Sequence, residues 1–125
     1  MTRKIIVTAL LIIGIWSTSA LASTPTSHLV KLASKQERLS RSIMKAYKTK
    51  SPSTLTLLKD LESGQLKLKS NIHTPEIKNL LIYLNLCLRD LKQAVKKPYS
   101  THNARLVADL SASLTEGNHY IAKTL

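Results

Sequence analysis

The 125-residue chain contains no phenylalanine, one cysteine, three glycines and only seven acidic residues. Each shortage closes a class of explanation. A lone thiol, Cys87, cannot staple the fold internally, so stability must come from an apolar core or from association. The thiol itself reads as a small apolar group, with an intermolecular bridge as the alternative. Beyond Gly14 the only glycines are Gly64 and Gly117, so no glycine-rich loop can cradle a phosphate. The scarce carboxylates stand singly among basic neighbours, which suits surface ion pairing and not paired-carboxylate catalysis. His28, His73, His102 and His119 are scattered, and no two have the i, i+4 spacing of a helical metal site. Ser and Cys nucleophile motifs are missing too. These absences predict a non-enzyme with no catalytic residue, no metal site and no cofactor. Alternating β-branched runs and Asn-Gly or Asp-Gly turns are also absent, which excludes a hairpin-built fold.

What is plentiful is positive charge. Lysine and arginine number 19, giving a formal +12. Such a chain attracts anions of every kind, and a solvated lysine-rich surface is the plain reading. Without interleaved aromatics to stack bases, and with the export read below, nucleic acid is not an expected partner.

The chain opens with Arg3 and Lys4, then the apolar run "IIVTALLIIGIW" from Ile5 to Trp16, then "STSALA". A basic start, a short apolar stretch and a small-x-small end compose a secretory signal peptide. The run is about a dozen residues, short of the roughly 20 a bilayer span requires. The expected organisation is a signal peptide over 1–22, cleaved after Ala22, and one domain over 23–125. An anchor retained at the membrane is the alternative. Cleavage leaves 17 basic residues against 7 acidic ones, a formal +10, on a protein expected in the periplasm.

Within 23–125 four apolar stripes recur. Thr26 or Ser27 is the expected first N-cap. From His28 to Lys48, the residues Leu29, Leu32, Gln36, Leu39, Ile43 and Ala46 step by three and four. Pro52 ends that segment. Ser53 to Ser63 forms a second face from Leu55, Leu58 and Leu61, with Gly64 as C-terminal cap and a loop to His73. Thr74, Pro75 and Glu76 open a third helix whose stripe is Ile77, Leu81, Leu84, Leu88, Leu91 and Val95, closed by Pro98. A fourth starts at Ser100 or Thr101 and carries Val107, Leu110, Leu114, Gly117 and Ile121. The stripes predict an all-α, antiparallel four-helix bundle preceded by a signal peptide. A core of leucine and isoleucine without Phe or Trp is narrow, which favours a homodimer.

The first stripe holds an anomaly. In "LASKQERLSRSIMKAY", Leu32 to Tyr47, Gln36 occupies a buried position. An unpaired buried amide costs about 1–3 kcal/mol, so Gln36 needs a partner. Lys35 and Ser40 flank the stripe, whereas Glu37, Arg38 and Arg41 point away, with Glu37 and Arg41 spaced for an i, i+4 pair.

This stretch resembles the signature helix of the PilJ-type family, the N-terminal domain of type IV pili methyl-accepting chemotaxis transducers. It is similar as well to the sensing helix of nitrate/nitrite sensor kinases. Leu32, Ala33, Gln36, Leu39, Ser40, Lys45, Ala46 and Tyr47 carry the likeness. "LTLLKDLESG", "TPEIKNLL" and "LSASL" extend it more weakly through the later helices. The resemblance implies a periplasmic bundle that senses a small ligand, often at a dimer interface, and the expected function is a sensor-like bundle that binds a small ligand or a periplasmic or membrane signalling protein. Lys35, Gln36, Glu37, Arg38, Ser40 and Arg41 are then the candidate ligand-binding residues. Glu37 stands where the nitrate-sensing relatives place an anion-gripping arginine, with Ser34 and Ser42 replacing a glycine and a second arginine. Nitrate binding is therefore not implied. A basic interaction protein, docking on an acidic domain or an anionic envelope polymer, is the rival reading.

Overall fold

Three short breaks, at Thr49–Pro52, Ile72–Thr74 and Lys97–Ser100, divide the part of the chain that the computed structural model describes, residues 25–125. The helices between them are α1 (Thr26–Lys48), α2 (Ser53–Asn71), α3 (Pro75–Lys96) and α4 (Thr101–Thr124). No strand occurs among the described residues. The signal peptide expected over 1–22 lies outside them. No described helix is long and apolar enough to cross a membrane.

The helices pack on one another as a four-helix bundle. Its interior is built from Ile43, Leu61, Leu68, Leu81, Leu84, Leu91, Val107, Leu114 and Ile121, all fully buried. Each such side chain contributes about 1.5–3 kcal/mol through burial. Helix α1 packs most extensively on α4, and the seam between α2 and α3 is the thinnest of the four main helix–helix seams. Cys87 is buried, as a small apolar group would be.

Helix α2 departs from the sequence expectation. It runs straight through Gly64 to Asn71, with no loop before Ile72. Gly64 has a negative φ and lies on the buried face, so it is not a C-terminal cap. Its role is to make room: a Cβ there would overlap the side-chain amide of Gln36. The stripe of α2 is also displaced by one residue at its start. Thr54, Leu58, Leu61, Gln65 and Leu68 face inward, whereas Leu55 is 59% exposed.

The caps differ in part. Pro25, not Thr26 or Ser27, precedes the first helical residue, and its carbonyl accepts from the amides of His28 and Leu29. Thr74 starts α3 as expected, but through its carbonyl, which accepts from Lys78 N at 2.8 Å, and not through its hydroxyl. Ser100 is a full N-cap: its Oγ accepts from Asn103 N at 3.1 Å. Gly117 admits Leu84, whose Cδ2 would stand 2.6 Å from an added Cβ.

Candidate functional site

The six residues proposed from the sequence do not converge on one pocket. Gln36 and Ser40 are fully buried, so Ser40 does not merely flank the stripe. The Ser40 hydroxyl donates to the Gln36 carbonyl at 2.8 Å, one turn back along α1. Lys35, Arg38 and Arg41 are exposed. Glu37 does not point away into solvent; its side chain is only 13% exposed.

Gln36 finds the partners its burial demands. Its Nε2 donates to Leu61 O at 2.6 Å and to Gln65 Oε1 at 3.0 Å, tying α1 to α2. Gly64 supplies the space for this approach. The pairing is incomplete, because Gln36 Oε1 and Gln65 Nε2 have no hydrogen-bond partner among the described residues. In α4, Asn118 Nδ2 turns back to Leu114 O at 2.9 Å, while Ser111 Oγ and Asn118 Oδ1 are also unpartnered. The most sequence-specific part of the motif thus works inside the bundle.

Glu37 sits between Arg41, an i, i+4 ion pair as expected, and His119 of α4, whose Nδ1 is 3.2 Å from Oε1. Burial pushes the Glu37 carboxyl up, but the bonds and charges of His119 and Arg41 together outweigh it. The net pKa lies below the ordinary 4.5. The carboxylate is ionised and its charge is met by Arg41 within the same chain.

Two clefts elsewhere offer more room. The first, about 600 Å³, lies where the end of α1 meets the start of α2 and the end of α3. Tyr47, the last residue of the motif, stacks on Tyr99 with ring centroids 5.4 Å apart. Lys50 Nζ sits 5.0 Å from the Tyr99 ring centre. Lys96, Thr54 and Leu55 also line it. The second cleft, about 480 Å³ between α3 and α4, places Glu76 and Glu116 beside Tyr83 and Tyr120. There Tyr120 Oη donates to Glu76 Oε2 at 3.3 Å. No group of three or more His, Cys, Asp or Glu that could hold a metal occurs among the described residues.

The sequence reading missed Lys50, Lys96 and Tyr99. A signal was present: "KTKSP" and "KKPY" repeat a lysine–proline break after the first and third stripes. If consecutive helices alternate in direction, those two breaks fall at one end of the bundle. Comparison of the chain with protein-family models, curated proteins and solved structures found no match.

Proposed function

We propose that the chain is a non-catalytic, periplasmic sensor-like bundle of PilJ type, working as a homodimer that binds a small ligand and reports to a membrane signalling protein. The observation that carries this reading is the inner face of α1. Ala33, Gln36, Ser40, Ala46 and Tyr47, five of the residues on which the likeness rests, are all buried and organise the bundle. They form one helix face in an all-helical module, which supports the likeness.

The reading includes an antiparallel arrangement. Glu37 meets His119, while Arg41 and Met44 further along α1 border Ser111 and Ala112, earlier in α4. Gln36 likewise meets Gln65, while Lys35 and His28 border Lys67 and Asn71. Both pairs support helices running in opposite senses.

Thermal melting of the purified protein against a panel of small anions, cations and amines tests the function. A ligand at 100 times its Kd raises stability by about 2.7 kcal/mol, a readily measured shift. A melting point unmoved by every member of the panel contradicts small-molecule sensing.

A second reading has its own support. Lys31, Lys35, Arg38, Lys45 and Lys48 are all exposed along α1. Such a helix suits docking on an acidic domain or an anionic envelope polymer. Binding to such a partner that weakens steeply between low and physiological salt would favour this reading.

A further inference from the structure

Three features of the cleft at the end of α1 point in one direction. The first is a strained lysine. Lys50 has φ 55°, a left-handed conformation that is unusual for any residue but glycine. It occupies the residue after the helix cap, where Lys50 N bonds to Tyr47 O at 3.1 Å and Ser51 N to Ala46 O at 2.8 Å. That paired pattern is the helix ending in which glycine is strongly preferred. Lysine at this position gives up stability and places an ammonium group over the Tyr99 ring.

The second is an orphan hydroxyl. Tyr47 is 7% exposed, lines the cleft, and its Oη has no hydrogen-bond partner among the described residues. Burial, and then the neighbouring Tyr99, raise its pKa above 10.0, so it adds no negative charge to the cleft. The third is the charge balance. Neither Lys50 nor Lys96 is in an ion pair among the described residues, and none of the seven acidic residues lines the cleft. Leu55, Val95 and the Tyr99 ring supply apolar wall beside the two ammonium groups. The volume falls in the range of small-molecule sites, about 300–1,000 Å³.

We propose that this cleft binds a small organic anion with a flat apolar body, of which an aromatic carboxylate is the simplest member. The body lies against Tyr99 and Leu55, and the carboxylate takes Lys50 and Lys96. A bare inorganic anion leaves the apolar wall unused. An organic cation meets two like charges. The inference rests on the small-ligand half of the sensor reading and gives that ligand a chemical class and a place.

The test is a titration of isotope-labelled purified protein with benzoate, benzylamine and sulfate at matched ionic strength, followed by amide chemical shifts. Benzoate is expected to move the amides of 50–55 and 95–99 saturably, and the other two probes are expected to leave them in place. Three variants sharpen it. K96A weakens benzoate by about tenfold, the loss expected for one charge-assisted contact. Y47F, which keeps the ring and removes only a hydroxyl closed off from solvent, changes it by about twofold or less. K50G raises the melting temperature and weakens benzoate together, a result that damage to the fold cannot produce. Benzoate shifts that never saturate, that map to other residues, or that K50G and K96A leave unchanged overturn the proposal, as does equal saturation by benzylamine. A melting panel in which another ligand class still stabilises the protein would then retain the sensor reading and remove only this site.

Discussion

Two residues oppose local preference for the sake of a neighbour. Gly64 sits inside helix α2, where alanine would be favoured by about 1 kcal/mol on propensity alone. Its Cβ would nevertheless displace the Gln36 amide and break the bonds to Leu61 O and Gln65 Oε1. G64A is therefore expected to lower stability by about 1–3 kcal/mol, because a buried amide loses its partners. Denaturant melts should show the loss shrinking when Q36A is already present, since the displaced group is gone. Lys50 is the opposite case: K50G should gain about 0.5–1 kcal/mol by relieving a left-handed non-glycine residue, read as a higher denaturation midpoint. Glu37 adds a pH dependence. Its pKa is lower in the folded state than its ordinary 4.5, so the stability it contributes is complete above that value. The contribution is lost as pH falls through the lower, folded pKa. E37Q should flatten the acid limb of a stability-against-pH curve while costing at most about 1 kcal/mol at neutral pH.

At the scale of the helices, the three- and four-residue stepping of apolar residues was a sound guide. Three of the four stripes stand nearly as read, because leucine at those spacings can bury itself only on one face of a helix. Their ends drift: Ala94 is buried where Val95 was expected, and Leu110 is half-buried beside Ser111. Helix α2 was the misreading. "TLTLLKDLESGQLKLKS" contains leucines on two faces, and periodicity alone cannot choose between Leu55–Leu66 and Leu58–Leu61–Leu68. What decides it is Gln36, a long-range partner that no local pattern displays. The same contact turned an expected cap glycine into an interior one. A paired substitution measures this assignment. L61A should cost about 2–5 kcal/mol as a fully buried leucine, whereas L66A, at 62% exposure, should change stability by about 0.5 kcal/mol or less. Equal losses in urea melts would mean that α2 presents its other face.

For the whole molecule, the bundle, its all-helical class and the need for a partner at Gln36 were legible from residues alone. The site was not. A list of neighbours along one helix, Lys35 to Arg41, cannot reveal that successive residues are divided between core, groove and solvent by a rotation of about 100° per residue. The cleft formed by Tyr47, Lys50, Lys96 and Tyr99 joins segments nearly fifty positions apart, and only the packing of helix ends brings them together. The resulting picture assigns the motif two tasks. Its polar interior locks α1 to α2, and its last tyrosine reaches a basic, aromatic cleft. The central claim is the inward lock, since a Gln36 facing solvent would return the proposed ligand to the face from Lys35 to Arg41. Hydrogen exchange at the Gln36 side-chain amide measures it most directly. Protected Nε2 protons with through-space contacts to Gly64 and Leu61 are the predicted result, and freely exchanging protons without those contacts would contradict the account.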